Sequence, residues 1–220
     1  MAHVLFDVNG TLLDPRALTA SWEGAPAGLG LSVLDQTVAQ AMTDTMTGGF
    51  RPFTDYLRAA LELRAQLAGL GDDAVEAGMA AAAALPPYPD AADALSRLVL
   101  AGHTPSALTN SGADAARGAL SHAGLLEHLH AVVSVEAVGA YKPDQRVYAH
   151  ALEVLATPAA DTWFVAGHWW DVWAAKRAGL RTGWVGRDEG ALLGTVPEPD
   201  VRADDLAGVA DGIISAAGAG

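Results

Sequence analysis

The sequence predicts an α/β fold with a doubly wound parallel sheet and an inserted helical segment, on the strength of three observations. A short apolar run, His3–Phe6, ends abruptly at Asp7, as a buried strand does before a polar loop. Residues 15–87 show only helical spacing of apolar residues. From residue 88 onward, short apolar runs alternate with helical segments, which is typical of a parallel sheet covered on both faces. The predicted core is therefore Rossmann-like and comprises residues 1–14 and 88–220, with residues 15–87 as a helical cap.

The inserted segment contains three helical stretches that glycines separate. Gly48-Gly49 and Gly69–Gly71 interrupt the pattern, and Pro86-Pro87 marks the boundary with the core. We expect three or four helices here, including Leu34–Met46, Phe53–Leu67 and Asp72–Ala84.

In the core, predicted strands and helices alternate. After the first strand, the expected strands are Ser106–Leu108, Ala131–Val135, Trp163–Ala166 and Thr182–Val185. The expected helices are Asp90–Leu100, Ala113–His122, Arg146–Leu155, Trp170–Ala178 and Asp204–Ser215. The AAGAG sequence at residues 216–220 is expected to fray, because chain termini are seldom tied down.

Composition and charge exclude several classes of protein. The 220 residues carry a formal net charge of −13, which disfavours binding to nucleic acid and to anionic membranes. A hydrophobic fraction of 51% excludes a disordered chain. Because there is no cysteine, disulfides, thiolate catalysis and cysteine-ligated zinc are excluded. The N-terminus does not resemble a signal peptide and no apolar run is long enough to span a membrane, so we expect a cytoplasmic protein.

Polar clusters follow four separate segments of the predicted core. They are Asp7–Thr11, Thr109–Ser111, Tyr141–Pro143 and Gly167–Asp171. In a doubly wound sheet, ligands bind beyond the carboxyl ends of the strands. We therefore expect these four segments to converge on one site.

The same four segments resemble the four motifs of the haloacid dehalogenase superfamily, in the same order and over nearly the whole chain. Within that superfamily, the sequence is most similar to the type II (L-2-haloacid) dehalogenase branch, since Tyr148 follows the Lys142-Pro143 pair and Trp170 precedes Asp171. The motifs read FDVNGTLLD (Phe6–Asp14), ALTNSG (Ala107–Gly112), AYKPDQRVY (Ala140–Tyr148) and FVAGHWWDVWAAKRAGL (Phe164–Leu180).

The resemblance implies a role for each polar residue. Asp7 would be a nucleophile that forms an ester-like intermediate, which water then hydrolyses. Lys142 would stabilise negative charge on Asp7 and on the substrate, and Asp171 would orient catalytic groups or the water. The substrate-binding residues implied are Asn9, Thr11, Thr109, Asn110 and Tyr148.

These residues also have ordinary structural explanations. Asp7 could cap a loop and Lys142 could be a solvated surface lysine. Thr109 and Asn110 could serve turn and helix-cap chemistry. Asp171 could lie in the first turn of a helix, where the macrodipole favours a carboxylate.

Two positions distinguish a dehalogenase from a phosphatase of the same superfamily. Phosphatases carry a second Asp where Asn9 stands, and an amide cannot protonate a leaving alkoxide. They also place an acidic Mg²⁺ ligand where Gly167 stands, which leaves only Asp171. A halide leaving group needs no acid, so both departures favour carbon–halogen chemistry. We expect no cofactor and no metal, with Mg²⁺ only under the phosphatase alternative.

Other positions depart from the dehalogenase pattern. The branch usually has Tyr where Asn9 stands, and Val38 or a neighbour occupies the place of a cap Arg that helps to receive the halide. No Arg occurs between Arg16 and Arg51, which makes Arg51 the candidate substitute or else a surface charge near a helix start.

The fourth motif carries Ala166 and His168 where the branch usually has Ser and Asn. A histidine here could orient or deprotonate the hydrolytic water, because imidazole titrates near neutral pH. A hydrogen-bonded structural histidine is the alternative reading of His168.

The sequence thus predicts a hydrolase that cleaves a carbon–halogen bond in a small 2-haloalkanoic acid through a covalent aspartyl ester. The alternatives are a phosphatase of the same superfamily with weak Mg²⁺ dependence and a non-catalytic binding protein that kept the fold. The expected partner is a small anionic organic substrate, with no nucleic acid and no membrane, and a homodimer is left open.

Overall fold

A computed structural model describes residues 1–218 of the chain. Residues 219 and 220, at the end of the expected frayed tail, lie outside the described part. The last helix continues to Gly218 and so includes the first three residues of that tail.

Six parallel strands form one sheet, which confirms the predicted α/β fold class. Their order across the sheet is β3-β2-β1-β4-β5-β6, so β1 lies in the interior and the chain crosses from one side of it to the other between β3 and β4. Ligands bind at such a reversal of strand order. The strands are β1 His3–Phe6, β2 Thr104–Thr109, β3 Val132–Ser134, β4 Thr162–Ala166, β5 Arg181–Val185 and β6 Val201–Ala203.

Eight α-helices accompany these strands in residues 1–218, four between β1 and β2 and four in the rest of the chain. All eight predicted helices are present, with ends that differ by a few residues at most except in the first. They are α1 Leu29–Met46, α2 Phe53–Leu67, α3 Asp72–Ala82, α4 Ala91–Leu100, α5 Ala113–His122, α6 Gln145–Val154, α7 Trp169–Arg177 and α8 Leu206–Gly218.

The core lies on both faces of the sheet. Val4 and Phe6 of β1 pack with residues of α4, α5 and α8, whereas Leu5 packs on the opposite face with residues of α6 and α7. This division follows from the alternation of side chains along a strand. Burial on both faces confirms the predicted parallel sheet that helices cover on both sides.

Helix α1 begins five residues earlier than the sequence predicts, at Leu29 rather than Leu34. Gly30 weakens the helical pattern, but position 30 has room only for glycine. A Cβ at this position would lie 2.2 Å from the backbone oxygen of Pro15. Pro15–Thr19 is a short 3-10 helix against which α1 and α3 pack. Close approach of two backbones therefore explains a glycine that intrinsic propensity disfavours.

Strand β6 is absent from the sequence prediction. It has only three residues, follows a segment containing Pro197 and Pro199, and exposes Arg202 at the sheet edge. Its strand conformation comes from pairing with β5, with Trp184 opposite Arg202. Such a contact leaves no periodic pattern in the sequence.

No helix in the described residues is both long enough and apolar enough to cross a membrane.

Candidate active site

All four predicted polar segments meet at the carboxyl edge of the sheet. Asp7 follows β1, Thr109 ends β2 and Asn110 follows it, and His168 follows β4. Lys142 comes from the loop between β3 and α6. Parallel strands end at the same edge, so residues distant in sequence become neighbours here.

Asp7 is buried, and both of its carboxylate oxygens are hydrogen-bonded. Oδ1 accepts from Lys142 Nζ at 2.7 Å, and Oδ2 accepts from the Thr11 hydroxyl at 2.8 Å. The same hydroxyl accepts from the backbone N–H of Gly167 at 2.9 Å. Thr11 therefore fixes the Asp7 carboxylate against the loop after β4, and it does not itself line the cavity around Asp7.

Lys142 is fully buried and joins two carboxylates. Its Nζ donates to Asp171 Oδ2 at 2.6 Å as well as to Asp7, and to the backbone oxygen of Leu108 at 3.3 Å. Three acceptors match the three N–H donors of an ammonium group. The Tyr148 hydroxyl donates to the other oxygen of Asp171. Tyr148 thus contacts Asp171, and it does not line the cavity beside Asp7.

The charges in this cluster keep the reacting groups ionised. Burial alone would raise the pKa of Asp7, but Lys142 and His168 outweigh it and hold that pKa well below its usual range. Burial likewise disfavours charged Lys142, yet Asp171 and Asp7 raise its pKa. Burial raises the pKa of Asp171, and Lys142 offsets only part of the rise. A carboxylate held ionised in a buried site can act as a nucleophile.

Thr109 and Asn110 line the cavity beside Asp7. The Thr109 hydroxyl accepts from the Ser111 backbone N–H at 3.0 Å, which leaves its O–H free to donate. Asn110 Oδ1 accepts from the Lys142 backbone N–H at 3.1 Å, so its amide N–H groups face elsewhere. Asn9 also lines the cavity, and its amide donates to the Ser111 hydroxyl at 3.2 Å.

His168 lies directly against the Asp7 carboxylate. Its Nδ1 is 3.4 Å from Asp7 Oδ2, at the limit of a hydrogen bond, and has no well-aligned partner among the described residues. The ring stacks on Trp170 with centroids 5.4 Å apart. Burial alone would lower the pKa of His168, but Asp7, with help from Asp171 and Glu189, raises it.

Gly10 makes room for His168. Its φ is +87°, and a Cβ there would lie 2.6 Å from the imidazole Cε1. Gly10 therefore combines a left-handed backbone conformation with close contact to a side chain of the site.

Two acidic side chains lie beyond His168, and sequence reasoning missed both. Glu189 accepts from the Trp169 backbone N–H at 3.0 Å, and Asp35 of α1 lines the same small cavity as His168. Burial raises the pKa of each. Glu189 follows the end of β5, so the rule about strand ends that located the other segments would have found it. Asp35 carries no such signal.

The cavity around Asp7, which we call the reaction cavity, has a free volume of about 10 Å³. This is roughly the space of one water molecule. Its apolar walls come from α1 and α2 of the inserted segment and from α7. It is lined by Asp7, Asn9, Leu34, Val38, Phe53, Thr109, Asn110, His168 and Trp170.

The structure does not bring Arg51 to this cavity. Arg51 is exposed between α1 and α2 and lines a surface groove with Asp44 and Tyr56. Val38, at or near the position that the sequence resemblance aligns with a cap Arg, does line the cavity. The expected substitution by Arg51 is therefore wrong, because the chain places its side chain on the outer side of the helix pair.

The residues present do not fit Mg²⁺. All four carboxylate oxygens of Asp7 and Asp171 already accept hydrogen bonds, two of them from the ammonium of Lys142. Mg²⁺ requires several oxygen ligands in a near-octahedral set. Within residues 1–218, no group of three or more His, Asp and Glu side chains is arranged to hold a metal ion.

The parallel sheet thus carries a buried carboxylate–lysine cluster at the end of its interior strand, an arrangement that can support hydrolysis through a covalent ester. The family model of haloacid dehalogenase-like hydrolases matches residues 1–179, and the chain belongs to this family.

Comparison with individual proteins narrows the relationship. The chain is 33% identical over 191 residues to the (S)-2-haloacid dehalogenase of Xanthobacter autotrophicus, with 84% of this chain and 74% of that protein covered. It is 28% identical over 220 residues to (S)-2-haloacid dehalogenase H-109 of Pseudomonas putida, with 96% and 97% covered. The crystal structure of an L-2-haloacid dehalogenase superimposes with a TM-score of 0.90 at 25% identity, covering 98% of this chain and 99% of that one. These matches confirm the resemblance to the L-2-haloacid dehalogenase branch.

Proposed function

We propose that the protein hydrolyses the carbon–halogen bond of a small 2-haloalkanoic acid through an ester on Asp7. The observation that carries the proposal is the 2.7 Å hydrogen bond from buried Lys142 to Asp7. Asp7 lines a cavity together with Asn9, which stands in place of the acid that a phosphatase needs. The names of the curated relatives support the same reaction.

In the first step, an oxygen of Asp7 attacks C2 of the substrate. A C–O bond forms, the carbon–halogen bond breaks, and the halide leaves with the electron pair. A halide is a weak base, so no proton has to be supplied to it, except in part to fluoride. Lys142 keeps Asp7 ionised and Thr11 fixes its orientation.

The substrate carboxylate is held by the donors that remain free at the end of β2. These are the Thr109 hydroxyl and the Asn110 amide, since Asn110 Oδ1 is occupied by Lys142. Without Arg51, the cations nearest the substrate are Lys142 and His168. A protonated His168 stabilises both the carboxylate and the departing halide in this step.

The second step uses His168 in its neutral form. Alkylation removes the negative charge of Asp7, and that charge is what chiefly raises the pKa of His168. The pKa of the imidazole therefore falls once the ester forms, and its proton passes to solvent. His168 then accepts one proton from the water that attacks the Asp7 carbonyl carbon and gives it to the departing alkoxide. The second proton of that water, left on the Asp7 carboxyl, passes to His168 and restores the starting state. Asp171 holds Lys142 and Tyr148 in place throughout.

We further propose that residues 15–87 act as a cap domain over a core of residues 1–14 and 88–220. Leu34, Val38 and Phe53 of this segment close the reaction cavity, which supports the division. The absence of nucleic-acid binding, the cytoplasmic location and the homodimer stay predictions.

Neither alternative function gains support from the site. A phosphatase needs a second acid and a Mg²⁺ site, which Asn9, Gly167 and the occupied oxygens of Asp7 do not provide. A binding protein that had lost catalysis would have no use for a buried lysine between two carboxylates.

The test is halide release combined with isotope labelling. Incubation with racemic 2-chloropropionate should release chloride, and single turnovers in H₂¹⁸O should place one label in the peptide that contains Asp7. The Asp7→Asn variant should lose activity by several orders of magnitude while keeping the wild-type unfolding transition. Product formation with an unlabelled Asp7 would show that water attacks C2 directly, and the ester mechanism would be abandoned.

A further inference from the structure

A second, larger cavity adjoins the reaction cavity. This cavity, which we call the side pocket, has a volume of about 250 Å³ and lies between the inserted helices and α5. Asn9, Leu34 and Phe53 line both cavities, so only these side chains separate the side pocket from the reaction cavity.

The walls of the side pocket are apolar. Among its lining residues are Leu18, Leu57, Met79, Leu85, Ala116 and Ala119, and none of the lining side chains is ionisable. Asn9 and Ser111 line it where it meets the reaction cavity, and they satisfy each other by a hydrogen bond. An apolar cavity of roughly 150 Å³ is large enough for a benzene molecule, so the side pocket has room for a phenyl ring or a short alkyl chain.

The far end of the side pocket reaches the surface. Ala83, after α3, and Ala115 and Gly118, on α5, line the pocket and are exposed. An alkyl chain that extends from the reaction cavity can therefore continue toward solvent without meeting a closed wall.

We propose that the side pocket binds an apolar substituent at C2 of the substrate, so that the enzyme prefers 2-haloalkanoic acids of medium chain length to 2-chloropropionate. This inference rests on the proposed function. The reaction cavity has the space of about one water molecule, which is too little for an alkyl substituent at C2. With the carboxylate at Thr109 and Asn110 and C2 at Asp7, the substituent points past Leu34 and Phe53 into the side pocket.

The expected preference follows from apolar burial. Each methylene transferred from water to such a pocket favours binding by about fourfold. Three additional methylenes should therefore give 2-chlorohexanoate at least about a tenfold advantage in kcat/KM over 2-chloropropionate, after allowing for incomplete burial.

Two variants narrow the side pocket at different depths. Ala119→Leu fills its buried wall, and Ala115→Leu fills its exposed mouth, where added bulk threatens folding less. Ser121→Leu is the matched control, because Ser121 is exposed on the same helix and does not line the pocket. Both pocket variants should lower the ratio of kcat/KM for 2-chlorohexanoate to that for 2-chloropropionate by about fivefold or more, and the control should not change it.

A binding measurement separates this inference from the proposed reaction. Titration calorimetry with hexanoate and propionate, which carry no halogen, should give at least about tenfold tighter binding of hexanoate, and Ala119→Leu should abolish the difference. The preference without any chloride release would support the side pocket and overturn the proposed reaction. Chloride release from 2-chloropropionate with equal or weaker binding of hexanoate would overturn the side pocket. If Ala119→Leu and Ala115→Leu lowered kcat/KM equally for 2-chlorohexanoate and 2-chloropropionate, that result would also overturn the side pocket.

Discussion

Lys142 is one of only two lysines in the chain, and the two have opposite environments. Lys142 is fully buried between Asp7 and Asp171, whereas Lys176 is partly exposed and contacts Asp200 at 3.3 Å. Removing one partner of a buried ion cluster leaves an uncompensated buried charge, which destabilises the fold. Ion pairs at the surface contribute little to the free energy of unfolding.

We therefore expect Lys142→Met to lower the free energy of unfolding by about 3–5 kcal/mol and to abolish turnover. Urea unfolding measures the first effect. Lys176→Met is the matched control and should cost at most about 1 kcal/mol. Adding Asp171→Asn to Lys142→Met should recover part of the lost stability, since one of the unpaired carboxylates is then neutral. Equal costs for the two lysine variants would contradict the proposed charge balance.

His168 gives the reaction a characteristic pH dependence. Only neutral imidazole accepts a proton from water, so the rate of ester hydrolysis should rise with pH and level off above the pKa of His168 in the ester. Asp7 no longer raises that pKa after alkylation, whereas Asp171, Glu189 and Asp35 still face the ring. Rapid-quench mass spectrometry across pH, with a 2-haloacid substrate, measures the decay of the adduct on the Asp7 peptide.

In His168→Ala, the adduct should still form, though more slowly, and should accumulate because hydrolysis falls by about 10²–10⁴-fold. The remaining hydrolysis should lose the pH dependence seen in the wild type. Normal turnover by this variant would show that His168 is structural. Loss of adduct formation with an intact fold would restrict its role to the first step.

At the level of elements, the loop after β1 and the loop after β4 are fitted to each other. A Cβ on Gly167 would lie 2.6 Å from the backbone oxygen of Gly10, and a Cβ on Gly10 would meet His168. Glycine at both positions allows the loops to approach, and the Thr11 hydroxyl then bridges Asp7 and the Gly167 backbone. The geometry of the site is thus set by contacts between loops.

Gly10→Ala should displace the imidazole and slow ester hydrolysis more than ester formation. The positive φ adds a cost of about 1–2 kcal/mol in unfolding free energy. Gly48→Ala is the matched control, since Gly48 has φ +86° and no neighbour within 4 Å of a built Cβ. Gly10→Ala should lose at least as much stability as Gly48→Ala, and only Gly10→Ala should accumulate the adduct in single-turnover experiments. Equal rates of ester hydrolysis in the two variants would mean that His168 moves aside without losing its role in the reaction.

For the whole molecule, the family relationship leaves open whether a metal takes part, and the site geometry predicts that none does. Because Lys142 occupies the space between Asp7 and Asp171, we expect halide release to be unchanged after exhaustive dialysis against EDTA. An enzyme assay before and after dialysis measures this, with phosphate-ester hydrolysis as a parallel assay. Activity that disappears and returns with Mg²⁺ would support the phosphatase alternative.

Much of the fold was predictable because it depends on local pattern. Five of six strands and all eight helices follow from apolar periodicity and from glycine and proline breakers. Strand β6 and the first residues of α1 were missed, since β5 and the turn at Pro15 impose their conformation through contacts that leave no periodic signal.

The sequence by itself determined which residue types reach the carboxyl edge of the sheet, because strand ends can be located from pattern and four motifs mark them. Asp7, Lys142, His168 and Asp171 were all identified in this way. What each one contacts follows only from the tertiary structure: the Tyr148 hydroxyl donates to Asp171 and does not line the reaction cavity, and Arg51 lines a separate surface groove. The tertiary structure also revealed Glu189 beside His168 and the side pocket between the inserted helices and α5. Distances between side chains on separate loops depend on how whole elements pack, and that information is spread over the entire chain.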